Sequence, residues 1–299
     1  MATKTYVVPS VRSRAASTRA VTRMLSTGGL YVLCVLLALV FMVPFVWTIA
    51  TSLKSPQEIF VFPPSWIPAV PRPENYALVW TRIPFGTFAM NSILVTVLSV
   101  VGQTLSASIV AYGFARYRFP GRDTLFLLTL MTLILPREVT IIPTFLMFRY
   151  FHWLDTLWPL IVPHWFGGGA FSIFLMRQFF LSLPRELDEA ARIDGAGALR
   201  TLWSVILPLS KPALATTAIL AFLQHWNEFL EPLIFLNSPD KFTLPIGIRY
   251  FQLLGSQGGE PMIQLLMAAS LMMTLPCVVL FFTGQQYFVR GVVMSGLKG

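Results

Sequence analysis

The sequence predicts an all-α transmembrane protein with six spans, because long apolar segments alternate with short polar connections along the whole chain. Of the 299 residues, 55% are hydrophobic and only 12% are charged, which is about half the charged fraction of an ordinary soluble chain. The mean hydropathy is +0.68. A span needs about 20 mostly apolar residues to cross the hydrocarbon layer of a bilayer, and six segments meet this requirement.

These six segments make up a predicted transmembrane domain over residues 28–289. The predicted spans cover approximately residues 28–52, 89–115, 123–146, 157–180, 211–236 and 262–289. Four prolines between residues 136 and 163 interrupt the third and fourth spans, so helical hydrogen bonding must break within them. Residues 1–27 form an N-terminal segment before the first span, and residues 290–299 form a tail after the last.

The N-terminal segment carries five basic residues, and the first acidic residue of the chain is Glu58. A basic segment followed by an apolar run is also typical of a signal peptide, but the run Leu30 to Ala50 exceeds the usual apolar core of about 7–15 residues. We therefore expect a retained first span, with a transit peptide as the minor alternative.

The distribution of Lys and Arg predicts the orientation. Fifteen of these 22 residues lie on the side of the predicted membrane that holds both termini, and cytoplasmic loops carry the excess of positive charge. Both termini are therefore expected in the cytoplasm. The net charge of +9 is scattered among the connections, so it indicates a lipid bilayer as partner and no nucleic acid.

The cysteines and histidines predict no metal site or disulfide framework. Cys34 and Cys277 both lie in apolar segments, and the three histidines fall in separate segments without the spacing of metal ligands.

The connection between the fourth and fifth spans, residues 181–210, is predicted to form two short helices joined by a glycine elbow. Ser182 is the expected N-cap of the first helix, Pro184 fits its first turn, and Gly195 or Gly197 can end it in a left-handed conformation. One face of this helix would carry Leu183, Leu187, Ala190, Ala191 and Asp194. Such a face can dock into a protein groove or lie on lipid headgroups, and periodicity alone favours neither.

A resemblance to a known family starts in this loop. The spacing of Glu189-Ala190-Ala191, Gly195 and Leu207-Pro208 resembles the EAA signature of ABC-importer permeases, with Val205 where that family usually has Ile. Other patches are similar to the carbohydrate-uptake branch, and in particular to the smaller membrane subunit of the maltose importer: Ala111 to Arg116, Phe119-Pro120-Gly121, Leu135-Pro136 with Glu138, Ile142-Pro143, Trp226-Asn227-Glu228 and Gln286-Tyr287-Phe288.

The resemblance implies a type I importer permease in a bacterial inner membrane, with residues 181–210 as a coupling loop. It implies four kinds of partner: a second homologous permease, a dimer of ATP-binding cassette ATPases, an extracytoplasmic solute-binding protein and a sugar. The residues expected to couple the chain to the ATPase are Glu189, Ala190, Ala191, Asp194, Gly195, Leu207 and Pro208.

The chain is not expected to be an enzyme. Its nearest approach to a Walker A motif, Gly291 to Lys298, has Leu297 where Lys is required and lacks the following Ser or Thr. We therefore predict no catalytic residue and no cofactor bound by this chain, with ATP and Mg²⁺ used by the partner ATPase.

Four polar residues of the predicted fifth span have the spacing of one helical face: Gln224, Asn227, Glu228 and Glu231. Ionisable groups within spans usually face a bundle interior or a wet cavity, so these residues are candidates to line the pathway or contact the substrate. Hydrogen bonding between helices is an equally good explanation. We also expect Arg137-Glu138 to form an external ion pair or gate contact, and Gly167 to Gly169 to permit close packing or local unwinding.

The sequence thus predicts half of a translocation pathway for a sugar, expected to be a di- or oligosaccharide, that operates by alternating access. The alternative is an ion-coupled secondary transporter with Glu228 and Glu231 as ion-carrying groups, which leaves the EAA-like loop unexplained.

Overall fold

The computed structural model describes the backbone of residues 12–256 and 262–296, and the side chains of residues 27–252 and 262–285. Within these ranges the chain is helical, with no strand. The first eleven residues of the predicted N-terminal segment and the last three of the predicted tail lie outside the described residues.

Fifteen α-helices follow one another in the part of the chain that the structure describes. They are α1 (Arg12–Ser52), α2 (Pro56–Ile59), α3 (Glu74–Arg82), α4 (Phe85–Arg116), α5 (Arg122–Met131), α6 (Arg137–Tyr150), α7 (Trp158–Ile161), α8 (Ala170–Ser182), α9 (Glu186–Ile193), α10 (Ala198–Thr201), α11 (Leu207–Leu209), α12 (Lys211–Trp226), α13 (Leu230–Phe235), α14 (Leu244–Ser256) and α15 (Ile263–Gly296). Three 3₁₀ turns and one π-helical turn connect some of them: Thr132–Ile134, Val162–Trp165, Pro239–Lys241 and Leu202–Ile206.

Among the described residues, four helical stretches are long and apolar enough to cross a membrane: Thr27–Ser52, Phe85–Arg116, Trp158–Ser182 and Ile263–Gln285. Two bent pairs raise the number to six if each pair is one span. The pairs are Arg122–Ile134 with Arg137–Tyr150, bent by 101°, and Ala198–Leu209 with Lys211–Trp226, bent by 85°.

The helices differ most from the predicted spans in the third and the fifth span. The predicted span 123–146 contains the bend of 101°, because Pro136 disfavours helical geometry in the residue before it and Leu135 is extended, with ψ 117°. The predicted span 211–236 contains a break after Trp226. Pro232 cannot donate the backbone hydrogen bond that Glu228 would accept in a continuous helix, so α12 ends and α13 begins anew at Leu230.

Helix α4 is the centre of the molecule, because it contributes buried side chains to all three hydrophobic clusters. Phe88 lies in the cluster formed with α3, α14 and α15, Val95 in the cluster with α7 and α13, and Ala111 in the cluster with α8 and the loop that follows it. Helix α1, in contrast, exposes its apolar side chains from Leu30 to Val46. Such a surface fits contact with lipid or with another membrane chain.

The connection between α6 and α7 is tied to the segment after α13 by Asp155. Its carboxylate accepts hydrogen bonds from the Ser238 hydroxyl (2.6 Å) and from the backbone N–H groups of Ser238 (2.8 Å) and Asn237 (3.0 Å), and it pairs with Lys241 Nζ at 3.1 Å. These donors, the Ser238 hydroxyl first, hold the pKa of Asp155 well below its usual range.

Candidate functional site

The loop between α8 and α12 contains the two short helices and glycine elbow that the sequence predicts, but the first helix starts later. Ser182 is the last residue of α8, and its hydroxyl donates to the Phe179 carbonyl at 2.7 Å, so its prediction as N-cap is wrong. Pro184 keeps Leu183 extended, with ψ 141°. Helix α9 therefore begins at Glu186, after Arg185.

Gly195 ends α9 in the left-handed conformation, with φ +77°, as the sequence predicts. A Cβ at this position would meet nothing within 4 Å. Within this chain, the glycine is therefore required by the turn and not by close packing.

The residues expected to couple the loop to an ATPase divide between the surface and the interior. Ala191 and Leu207 are each 7% exposed and pack inside the protein. The others lie at the surface: Glu189, Ala190, Asp194, Gly195 and Pro208. The loop thus presents an acidic, small-residue surface on one side while its opposite side is packed against α4 and α8.

Asp188 is the feature of this loop that sequence reasoning missed. It is 8% exposed, accepts a hydrogen bond from the Tyr112 hydroxyl at 3.0 Å, and pairs with Arg116 Nε at 3.2 Å. The only sequence signal is indirect: an acid with apolar neighbours on a short amphipathic helix, and Arg116 at the end of a span.

The four polar residues predicted on one face of the fifth span do not share a helix. Helix α12 ends at Trp226, so Asn227 and Glu228 lie in the break and Glu231 lies in α13. The prediction that these four residues share one helical face is therefore wrong. Gln224 and Asn227 are exposed, and the Asn227 amide donates to the Leu223 carbonyl at 2.8 Å.

Glu228 and Glu231 nevertheless come together, around Arg137. Arg137 Nη1 lies 2.5 Å from Glu228 Oε2 and 3.8 Å from Glu231 Oε1. The expected pairing of Arg137 with its neighbour Glu138 is thus replaced by a contact across 91 residues. This ion pair joins the first residue of α6 to the break between α12 and α13. It therefore connects two of the breaks between helices.

A small cavity beside these acids lies next to a buried network of hydrogen-bonded side chains. The cavity is lined by His164, His225, Glu228, Glu231 and Thr243, among others. His225 Nε2 donates to Gln103 Oε1 at 2.7 Å, and Gln103 Nε2 donates to the Ser172 hydroxyl at 2.8 Å. The rings of His164 and His225 are 4.2 Å apart between centroids. Polar groups from α4, α8 and α12 therefore satisfy one another inside the bundle.

The ion pair lies at membrane depth if α5 starts at a membrane surface. Residues Arg122–Ile134 are helical, and 13 residues at about 1.5 Å each put Arg137 about 20 Å from the start of that helix. An Arg flanked by two carboxylates at this depth marks a wet cavity or pathway more often than a lipid-facing surface.

The three glycines before α8 combine both of the roles considered for them. Gly167, Gly168 and Gly169 have φ of +105°, +62° and +73°, so the chain is unwound there. A Cβ on Gly168 would also lie 2.4 Å from the Ala107 backbone nitrogen. The unwound segment therefore packs directly against the backbone of α4.

Among the residues that the structure describes, no three His, Cys, Asp or Glu side chains converge as ligands of a metal ion would. The polar groups that line the cavity are carboxylates, imidazoles and hydroxyls, which suit hydrogen bonding to a polar solute. The exposed carboxylates of the loop suit docking to a basic partner.

Comparison with known proteins connects these features to a family. Residues 103–294 match the family described as binding-protein-dependent transport system inner membrane component. A probable ABC transporter permease of Bacillus subtilis (strain 168), YurM, is 32% identical over 258 residues, which cover 86% of this chain and 83% of that protein.

Two further relatives have transport systems in their names. The sn-glycerol-3-phosphate transport system permease UgpE of Yersinia pestis is 36% identical and covers 83% of this chain and 88% of its own. The arabinooligosaccharide transport system permease AraQ of Halalkalibacterium halodurans is 37% identical, with coverages of 76% and 79%.

A solved structure shares the fold. It is described as a crystal structure of a bacterial ABC transporter involved in the import of the acidic polysaccharide alginate, and one of its chains matches with a TM-score of 0.74, 26% identity, and coverage of 93% of this chain and 99% of that chain. The helical architecture, the family match and these relatives agree with the resemblance seen in the loop. The chain therefore belongs to the inner membrane components of binding-protein-dependent transport systems and is a type I ABC importer permease.

Proposed function

We propose that this chain forms half of the translocation pathway of a bacterial importer for a di- or oligosaccharide. The second half is a homologous permease, the energy comes from a dimer of ATPase subunits that use ATP and Mg²⁺, and the sugar arrives on an extracytoplasmic binding protein. The chain itself binds no cofactor. Family membership supports this assembly.

The observation that carries the proposal is the two-sided loop. Glu189, Ala190 and Asp194 are exposed on a helix whose opposite side is packed into the membrane domain through Ala191 and Leu207. Exposed acids beside small residues suit a groove that contains a basic side chain. Gly195 and Pro208 bound this surface where the loop turns. Closure of the ATPase dimer would then move the loop and change which side of the pathway is open.

The orientation follows from the charges. The excess of Lys and Arg lies with both termini and with residues 181–210, so we place the termini and the loop in the cytoplasm. The chain of an inner membrane component would then present its loop to cytoplasmic ATPases and its opposite face to the binding protein.

A sugar is the cargo that the relatives and the polar cluster favour together. The relatives' names refer to sn-glycerol 3-phosphate and arabinooligosaccharides, and the solved structure to alginate, and all of these are polyhydroxylated. Exposed Gln224 and Asn227, with Glu228 and Glu231 beside the cavity, supply acceptors and amides that suit hydroxyl groups.

The alternative of an ion-coupled transporter has less support. It requires an acid that takes up and releases an ion, whereas Glu228 and Glu231 share Arg137 as counter-charge. It also gives no role to the loop surface around Glu189. The family match favours ATP-driven import.

The first experiment is affinity purification of the tagged chain in mild detergent, followed by mass spectrometry and an ATPase assay. We expect an ATPase and a second permease to be retained and to hydrolyse ATP. Arabinotriose, sn-glycerol 3-phosphate and an alginate trisaccharide would then be tested for thermal stabilisation of the binding protein. Purification of the chain alone, with uptake driven by an ion gradient, would refute the proposal. Stabilisation by glycerol phosphate alone would refute the oligosaccharide cargo.

A further inference from the structure

Asp188 anchors the coupling loop to the cytoplasmic end of α4. Its two carboxylate oxygens have different partners: Oδ1 accepts from the Tyr112 hydroxyl at 3.0 Å, and Oδ2 pairs with Arg116 Nε at 3.2 Å. The side chains of Arg116 and Asp188 are only 4% and 12% exposed. A buried carboxylate is costly unless it is paired, so these contacts hold Asp188 in one position.

Arg116 also holds the entrance to the loop. Both of its terminal nitrogens lie 3.2 Å from the Leu183 carbonyl oxygen, to which they donate. One guanidinium therefore fixes both the chain entering the loop and the first turn of α9. Tyr112 and Arg116 lie four residues apart on α4, so they share one face of that helix.

The buried Asp188 is followed directly by an exposed acid, Glu189. Asp188 points into the protein, whereas the next residue, Glu189, is exposed. Successive residues of a helix point about 100° apart, and α9 therefore carries its contact surface and its anchor on neighbouring positions of one turn. Because Glu189 and Asp188 are joined by one peptide bond, a displacement of Glu189 also displaces Asp188.

Helix α4 can carry that movement to the pathway. Its 32 residues span about 48 Å. Ser92 and Val95, in its first half, line the cavity beside Glu228 and Glu231, and Gln103 bonds His225 of α12. The helix thus contacts the coupling loop at one end and the polar cluster nearer the other.

We propose that Asp188 is a positioning residue that makes α9 and α4 move as one body, so that movement of the loop reaches the pathway without being absorbed by the loop. The proposal rests on the proposed function in one respect: the movement enters at Glu189 from an ATPase.

The test measures the distance between the loop and α4 in the full complex. Spin labels are placed at Arg185→Cys, on the loop, and Ile109→Cys, on α4, because both positions are exposed. Cys34 and Cys277 are replaced by Ala. Distance distributions are recorded in nanodiscs without nucleotide and after trapping with ADP and vanadate.

We expect the same narrow distance in both states of the parent complex. In Asp188→Asn, which loses the charge that pairs with Arg116, the distribution should broaden and its mean should shift on trapping. Asp188→Glu should restore the parent behaviour. Tyr112→Phe, which removes only one hydroxyl, should give a smaller broadening in the same direction, and it provides the comparison if Asp188→Asn does not fold. The matched control is Glu186→Gln, which removes an exposed acid from the same helix turn.

A distance that shifts on trapping in the parent would overturn the proposal, because the loop would then slide on α4. An Asp188→Asn distribution identical to the parent would overturn it as well. Failure of the parent to retain an ATPase is a different result and refutes the proposed function. In that case the role of Asp188 is judged from the widths of the distance distributions that the parent and Asp188→Asn give in the isolated chain.

Discussion

Gly168→Ala should be among the most damaging single-methyl changes in this protein, because it adds two costs at one position. Gly168 has φ +62°, and a Cβ there would lie 2.4 Å from the Ala107 nitrogen and 2.6 Å from its Cα. The left-handed conformation costs a residue with a Cβ about 1–2 kcal/mol. Overpacking against a helix backbone, which cannot rotate away, adds about 1–3 kcal/mol. The expected loss is about 2–5 kcal/mol.

Two other glycines separate these costs. Gly121 has φ +76° and open space around it, so Gly121→Ala should show only the conformational cost. Gly102 has no left-handed φ, and a Cβ there would lie 2.5 Å from the Trp165 ring, so Gly102→Ala should show the packing cost, reduced by the about 1 kcal/mol that alanine gains over glycine within a helix.

The assay is the apparent melting temperature of the purified chain in nanodiscs, recorded at one scan rate because unfolding of such proteins is often irreversible. The expected order of destabilisation places Gly168→Ala above both other variants. If Gly168→Ala melts no lower than Gly121→Ala, the close approach of the unwound segment to α4 plays no part in stability and the reasoning is refuted.

Three further predictions concern function and pH. Glu189→Arg should leave membrane insertion intact while uncoupling ATP hydrolysis from uptake, whereas Glu186→Arg, on the same helix turn, should have little effect; normal uptake in the first variant would sink the coupling assignment. Glu228→Gln removes the closest partner of Arg137, a charged hydrogen bond of about 1.5–3 kcal/mol, and should reduce uptake while the ATPase still co-purifies; loss of the ATPase would instead indicate misfolding. Asp155, whose folded-state pKa is depressed, stabilises its segment fully above its unfolded-state pKa of about 3.9, and that contribution is lost as the pH falls through the folded-state pKa. The backbone N–H groups of Asn237 and Ser238 donate hydrogen bonds to Asp155. Their hydrogen exchange should be faster in Asp155→Asn at neutral pH, and equal rates would contradict this role.

The sequence was sufficient for the features that depend on local or strongly periodic patterns. Apolar runs predict where membrane helices lie, and the left-handed end of α9 at Gly195 follows from glycine's conformational range. The break after Trp226 was also signalled, because Pro232 lies four residues after Glu228 and removes one helical hydrogen bond. The regular polar spacing across the break concealed it.

The missed features depend on contacts between distant parts of the chain. Asp188 meets Tyr112 across 76 residues, and Arg137 meets Glu228 across 91. In each case a nearer explanation existed in the sequence: a favourable charge in the first turn of α9, and a neighbouring acid at Glu138. The packing of α4 against the loop brings Asp188 to Tyr112, and the packing of α6 against the break brings Arg137 to Glu228. Neither packing can be predicted from neighbouring residues in the sequence.

The half-exposed guanidinium of Arg137 also bears on how cells must make this protein. Its side chain is 49% exposed and lies about 20 Å from the start of α5. In the proposed importer the partner permease would cover this side of the pathway, so a copy without its partner leaves the charge uncovered. An Arg that faces lipid costs about 2.5–3.5 kcal/mol on insertion scales. Surplus copies are therefore expected to be recognised by membrane proteases, and matched production of the two permeases becomes a condition for accumulating either one.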